Sequence, residues 1–152
     1  MGTPNKNRVF GQIKYKNKLY DIVISSLLNQ EIQSIIQKFK RDKNCTTSSA
    51  PWLHEKYHWN VENDKIYLES IRFDLCSYDN QIINIFGKNK LFANWVQKVY
   101  LLESQKLLKR DGVNTYYQRK ILVLYFENGI LFRTKIHSED YVIKELKNYI
   151  TD

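Results

Sequence analysis

The sequence predicts an α+β protein with a mainly antiparallel sheet of about six strands and two flanking helices. Three pairs of short apolar segments are each separated by a turn-forming doublet or triplet, which predicts three hairpins. Two further segments repeat apolar residues at helical spacing. No linker or repeat divides the 152 residues, and 2 prolines and 5 glycines are too few to form flexible joints. We therefore expect a single α+β domain over residues 1–152.

The N-terminal third is predicted to form a hairpin followed by a helix. The hairpin joins residues 9–15 to residues 19–24 around a three-residue turn at residues 16–18. Asn29 can cap the helix, because its side-chain oxygen can accept from an unpaired amide of the first turn. The apolar stripe recurs at i, i+3, i+4 and i+7 and consists of Ile32, Ile35, Ile36 and Phe39.

The second hairpin is predicted to turn at Asn63 and Asp64. This turn places His58 opposite Glu69 on a solvated face. The opposite, buried face would carry Trp59, Val61, Ile66 and Leu68.

The third hairpin is predicted over residues 120–126 and 130–137. Asn128-Gly129 is a favoured two-residue type I′ turn, because both of its central residues need positive φ. The first strand is apolar on both faces and should be central, whereas the second should be half exposed. On one face we expect Tyr125 opposite Phe132, Val123 opposite Thr134 and Ile121 opposite Ile136.

The C-terminal segment is predicted to be a helix capped by Ser138, with Glu139 and Asp140 at the positive end of its dipole. Its buried stripe would be Val142, Leu146 and either Tyr149 or Ile150. Between the second and third hairpins the pattern is weaker. Residues 87–90 indicate a turn, and residues 92–102 are compatible with a strand or a helix.

The positive charge is concentrated in one segment. The formal net charge is +8, and residues 88–120 contain eight basic and two acidic side chains, a balance of 8 − 2 = +6. Such a field attracts polyanions and acidic protein faces, although a solvated surface has the same composition. Residues 109–112 indicate an exposed turn, and the residues expected to bind a partner are Lys106, Lys109, Arg110, Arg119 and Lys120.

One string has the form of a zinc-peptidase motif, with His54, Glu55 and His58 spaced as H-E-x-x-H. That motif needs a helix to bring both imidazoles to one ion. Here the segment is rich in strand formers, and in a strand the two histidines would lie about 13 Å apart. We therefore expect no metal site, and His58 should be an ordinary surface residue.

Other catalytic machinery is not indicated. The closest two glycines, Gly2 and Gly11, are nine positions apart, so neither a dinucleotide fingerprint nor a phosphate-binding loop can be written. Cys45 and Cys76 match no zinc or redox spacing. We expect no cofactor and no enzymatic activity. With no export signal and no apolar run of membrane-spanning length, we expect a cytoplasmic protein without a membrane partner.

Four phrases of the sequence carry a resemblance: residues 59–68, Ile85-Phe86-Gly87, residues 91–95 and residues 125–130. Together they resemble a group of small uncharacterised bacterial proteins associated with toxin–immunity loci. The resemblance covers about residues 52–133, and the chain departs from the pattern after Trp95. It implies that His54 to His58 lie in a strand, that a second strand follows at residues 65–68, and that residues 126–129 form a hairpin turn.

These observations favour a non-enzymatic cytoplasmic binding protein, an immunity protein that neutralises a bacterial toxin domain through its basic surface. The partner would present an acidic face. The alternative is a nucleic-acid-binding protein with weak, sequence-indifferent affinity, because charge and tyrosines occur without a base-reading signature. A zinc peptidase is the third and least favoured hypothesis.

Overall fold

The computed structural model of the protein describes residues 11–23, 27–42, 55–73, 78–79 and 85–151. Two helices lie wholly within the described residues, α1 (Gln30–Asp42) and α2 (Glu139–Thr151), and residues 85–86 are also helical. The strands are β1 (Gly11–Tyr15), β2 (Lys18–Ile22), β3 (Lys56–Glu62), β4 (Lys65–Phe73), β5 (Tyr78–Asp79), β6 (Leu91–Phe92), β7 (Lys98–Asp111), β8 (Asn114–Glu127) and β9 (Ile130–Ser138).

The α+β class and the mainly antiparallel sheet are confirmed, but the expected number of about six strands was too low. Among the described residues, eight strands follow the order β3-β1-β2-β7-β8-β9-β4-β5, and β6 pairs with β4. Strands β5 and β6 have two residues each, too few to show an alternating pattern. Strand β7 begins inside the stretch that the sequence left open between strand and helix.

The sheet closes on itself, because β4 pairs with both β3 and β9. The pairing of β1 with β3 is parallel, and the other pairings are antiparallel. Within the described residues two seams are short: β2 pairs with β7 at Ile22 and Leu101, and β4 pairs with β9 at Lys65 and Ile130. We refer to this ring of β1, β2, β3, β4, β7, β8 and β9 as the barrel.

Three hairpins turn on residues that adopt positive φ, as type I′ geometry requires. The Asn63-Asp64 and Asn128-Gly129 turns are confirmed, with φ of 50° and 63° and of 53° and 78°. The first hairpin turns on two residues rather than the predicted three, because Tyr15 pairs with Lys18. Lys16 and Asn17 there have φ of 50° and 63°.

Two predicted registers are wrong beyond a β-bulge. In β9 the extra residue Phe132 shifts the pairing, so that Tyr125 lies opposite Arg133. In β4 the extra residue Glu69 places His58 opposite Ser70, and the Glu69 side chain instead accepts a hydrogen bond from Asn60 at 3.2 Å. Bulges increase the local twist, which helps a sheet to curve into a closed ring. The hydrophobic alternation does not show where such a residue is inserted.

Apolar side chains are buried on both sides of β8. Leu122, Leu124 and Phe126 join the larger cluster inside the barrel, with Ile13, Trp59, Ile66 and Val99 among its members. Ile121 and Val123 face outward and pack with Tyr100 against Val142 and Leu146 of α2. The two-faced pattern of β8 correctly indicated a central strand.

Both helix caps are confirmed. The Asn29 Oδ1 accepts a hydrogen bond from the Ile32 amide at 2.8 Å, and the Ser138 Oγ accepts from the Tyr141 amide at 3.2 Å. Ile32 and Ile36 bury the stripe of α1. The side chains of Tyr149 and Ile150, and both cysteines, lie outside the part of the chain that the structure describes. Neither described helix has the length and apolarity needed to cross a membrane.

Candidate partner-binding surface

Strands β7 and β8 extend beyond the barrel as a two-stranded hairpin. The last pairing of β8 with β9 joins Lys120 to Ser138, and the pairing of β7 with β2 is at Leu101. Within the described residues, positions 104–111 and 114–119 pair only with each other. We call residues 104–120 the arm. Its strands extend for about 25 Å at roughly 3.3 Å per residue.

The tip of the arm is a two-residue turn at Gly112 and Val113. Asp111 pairs with Asn114 across it, and Gly112 has a φ of 62°. Glycine at the first central position is the signature of a type II′ turn, whose twist suits a hairpin. The predicted exposed turn at residues 109–112 is therefore displaced. Lys109, Arg110 and Asp111 belong to β7 instead.

The register divides the five predicted binding residues between two faces. Directly opposed residues share a face, and Lys109 pairs with Tyr116, Lys106 with Gln118, and Ser104 with Lys120. We call this the lysine face; it continues the inner side of the barrel. The other side, which we call the arginine face, carries Gln105, Leu107, Arg110, Thr115, Tyr117 and Arg119.

The arm exposes apolar side chains that a folded monomer would ordinarily bury. Val113 at the tip is 99% exposed, and Leu108 is 59% exposed. Leu107, Tyr116 and Tyr117 are also exposed. Within residues 104–120 these side chains lie among five basic residues and one acidic residue, a balance of 5 − 1 = +4. The arm therefore combines positive charge with exposed apolar area, a composition typical of an interaction surface.

Two of the predicted residues have partners within the protein. The Lys109 ammonium lies 5.1 Å from the centroid of the Tyr116 ring, which holds the lysine over β8. The Arg119 Nη1 lies 3.5 Å from the Glu139 Oε2, and the two side chains are 12% and 24% exposed. Arg119 thus ties the base of the arm to the first turn of α2, where an acidic residue also complements the helix dipole.

The histidine motif does not form a helical metal site. Residues 56–62 are a strand, so the part of the H-E-x-x-H string that the structure describes is extended. The Glu55 Oε1 lies 3.0 Å from the Lys40 Nζ, and His54 lies outside the described residues. No cluster of three or more potential metal-ligating side chains occurs within the described part of the chain.

A cleft of about 300 Å³ lies beside the start of the β1–β3 pairing and is lined by Gly11, Gln12, Asp21, Lys56, Tyr57, His58 and Arg72. The Gln12 Nε2 donates to the Asp21 Oδ1 at 3.3 Å. Burial and then the nearby Glu55 raise the pKa of the Tyr57 phenol, so it stays protonated. The cleft contains polar groups but no described nucleophile held by a base.

Sequence reasoning found the basic residues of the arm but missed its length and its exposed apolar residues. The signal was present: Leu107 and Leu108 interrupt a charged run, and Gly112 follows it. Searches of protein-family models, curated proteins and solved structures found no match to this chain.

Proposed function

We propose that this chain is a non-enzymatic binding protein that holds an acidic protein partner on its arm. The arm carries this proposal, because it places positive charge and exposed apolar side chains on both faces of one projecting hairpin. The resemblance of residues 52–133 to proteins of toxin–immunity loci supports a more specific role, an immunity protein that neutralises a bacterial toxin domain.

The energetics of the arm support a surface that is completed by binding. An isolated two-stranded hairpin is marginally stable in water, because it buries little apolar area. Residues 104–111 and 114–118 are mostly exposed and belong to neither buried cluster. A partner that covers Leu108 and Val113 would remove their apolar area from water. Full coverage would stabilise the complex by up to about 1.5–3 kcal/mol for each of these residues.

The sign of the charge restricts the class of target. A toxin that cleaves nucleic acid presents a basic groove, which this arm would repel. The better target is a toxin domain whose functional face is acidic. Lys106, Lys109 and Lys120 would attract it over about a Debye length and accelerate capture.

The test is a double charge reversal in the arm, Lys109→Glu with Arg110→Glu, assayed against the protein encoded by the neighbouring reading frame. We expect capture measured by titration calorimetry to weaken at least about tenfold, roughly 1.4 kcal/mol. The midpoint of thermal unfolding should shift little, because exposed substitutions usually change stability by less than about 0.5 kcal/mol.

The matched control reverses two exposed lysines away from the arm, Lys14→Glu with Lys38→Glu, and so produces the same change in net charge. It should capture the partner much as the parent protein does. If both double reversals weakened capture of the partner equally, only the overall charge of the protein would matter. Unfolding of the arm variant would show that the segment is structural.

A second candidate function is sequence-indifferent nucleic-acid binding, favoured by the lysine face. Lys106, Lys109 and Lys120 lie there beside Tyr116 on a two-stranded ribbon, a shape that fits the major groove. Fluorescence anisotropy with mixed oligonucleotides at two salt concentrations tests it. Nanomolar, sequence-selective binding that persists at physiological salt would place this function first, whereas weak binding that falls steeply with salt is the expected result.

A further inference from the structure

The two edges of the arm differ in how well they resist an added strand. The β7 edge contains one register shift within the arm, at Leu108, and another just before it, at Glu103, and it carries Lys106, Lys109 and Arg110. Bulges and charged side chains are the usual means by which proteins protect an exposed strand edge. The β7 edge is therefore protected against strand addition.

The β8 edge lacks both kinds of protection over most of its length. The extra residues of this pairing both belong to β7, so β8 itself is regular from Asn114 to Gln118, and these five positions carry no charge. Thr115, Tyr116 and Tyr117 are strong strand formers. Within the described residues no strand covers this edge, because β9 ends its pairing at Lys120. The β8 edge is thus regular and uncharged over these five residues, and no described strand pairs with it.

Backbone groups of alternate residues face this edge. The residues flanking a two-residue turn bond to each other, so Asn114 directs its backbone groups toward Asp111. Alternation then directs the N–H and C=O groups of Thr115 and Tyr117 away from β7. The pairing of β8 with β9 gives the same directions. Glu127 flanks the Asn128-Gly129 turn and directs its backbone groups toward β9, and Val123 and Ile121 do the same at alternate positions. The same alternation, continued along β8, directs the backbone groups of Tyr117 and Thr115 to that side.

We propose that the β8 edge of the arm accepts an extended acidic segment of the protein partner as an added strand. This inference rests on the proposed function and specifies its binding mode. The segment would bond to the outward backbone groups of Thr115 and Tyr117. Strand addition supplies affinity through the main chain and selectivity through alternate side chains.

The two faces of the arm define the sequence of that segment. Every second side chain of an added strand falls on the lysine face, where the Lys109 ammonium already lies over Tyr116 beside this edge. Carboxylates there would meet Lys109 and Lys120. The remaining side chains fall on the arginine face next to Tyr117, with the exposed Leu107 beyond it. The recognised segment therefore alternates acidic with apolar residues.

Charge favours a partner segment over a second copy of this chain. Two arms paired along β8 would bring together two segments that each carry a balance of 5 − 1 = +4. Like charges in adjacent strands destabilise the pairing. An acidic segment instead neutralises the arm, and Ser138 and Glu139 stop it at the base of the arm.

The experiment measures binding of a blocked eight-residue peptide of alternating glutamate and valine to the full chain. Thr115→Pro removes an outward amide at an edge, where proline is tolerated, and Thr115→Ala is its matched control. A peptide with N-methylated backbone amides has the same charges but cannot add as a strand. We expect Thr115→Pro and the N-methylated peptide each to lose at least about tenfold in affinity, and Thr115→Ala to bind normally.

A second readout follows the backbone directly. Peptide binding should slow the exchange of the Thr115 and Tyr117 amide protons and leave that of Tyr116 nearly unchanged. If charge reversal at Lys109 and Arg110 abolishes binding while Thr115→Pro and the N-methylated peptide bind normally, strand addition is wrong and the proposed function stands. If the acidic peptide and the acidic partner both bind the charge-reversed and parent proteins equally, both proposals are wrong. Self-association that Thr115→Pro abolishes and the peptide does not compete would identify a second copy as the occupant.

Discussion

Strands β7 and β8 contain two regions with the same pairing and opposite surroundings. In the barrel, Val99, Leu101, Ile121 and Leu124 are fully buried, because β2, β9 and α2 cover them. In the arm the same two strands continue where those neighbours have ended, and Leu107 and Leu108 are exposed. Burial of a leucine in this hairpin is therefore decided by the elements beside it and not by its own strand. The arm is held by the barrel, and among the described residues its side chains are mostly exposed.

The largest expected contrast is in amide exchange along β8. The Val123 and Leu124 amides lie between strands inside the barrel, so their exchange should require nearly global unfolding, about 5–15 kcal/mol. The Thr115 and Tyr117 amides face solvent and should exchange through fraying at close to zero cost. Hydrogen exchange followed by NMR measures both. Equal protection along β8 would show that the arm is covered.

Truncating one leucine in the barrel and one in the arm should reduce the free energy of unfolding by different amounts. Leu124→Ala removes a side chain that is 0% exposed and should destabilise the protein by about 2–5 kcal/mol. Leu108→Ala removes a side chain from the arm and should cost less than about 0.5 kcal/mol. Chemical denaturation gives both values. A large loss of stability for Leu108→Ala would show that the Leu108 side chain is packed in a hydrophobic core.

The two glycine turns provide a smaller contrast. At Gly129 a Cβ would lie 2.8 Å from the Ala93 backbone oxygen, and φ is 78°, so Gly129→Ala adds a clash to backbone strain. We expect a cost of about 2–4 kcal/mol from the two effects together. At Gly112 a Cβ would meet nothing within 4 Å, so Gly112→Ala should cost only the strain, about 1–2 kcal/mol. Equal costs measured by denaturation would contradict the packing of the barrel turn.

The smallest effect is expected at the junction of the two regions. The ion pair of Arg119 with Glu139 is partly buried, and its coupling should be about 0.5–1 kcal/mol. A double-mutant cycle with Arg119→Ala and Glu139→Ala measures the coupling free energy. High salt should reduce it. A coupling of zero would mean that the base of the arm is held by strand pairing alone.

Sequence alone predicted the elements whose signals are local. Asn63-Asp64 and Asn128-Gly129 specify turns through positive φ, and Asn29 and Ser138 specify helix starts through their side-chain oxygens. The register beyond Phe132 could not be predicted, because a bulge leaves the apolar pattern on both sides intact. Of the candidate site, the charge was visible in the sequence. The sequence did not show how the basic residues divide between the lysine face and the arginine face. The extra residue Leu108 decides this, because it changes which side chains of β7 and β8 lie opposite each other.

The sequence by itself determined the α+β class, the central position of β8 and the place of the positive charge, because turn conformation, apolar periodicity and composition are properties of neighbouring residues. Tertiary structure decided the closure of the barrel, the length of the arm and the exposure of Leu108 and Val113. These depend on where β2 and β9 stop pairing, which involves residues about 80 positions and about 18 positions away along the chain. Whether a strand edge is covered is a long-range property, and the binding surface that we propose is the part that the described strands leave uncovered.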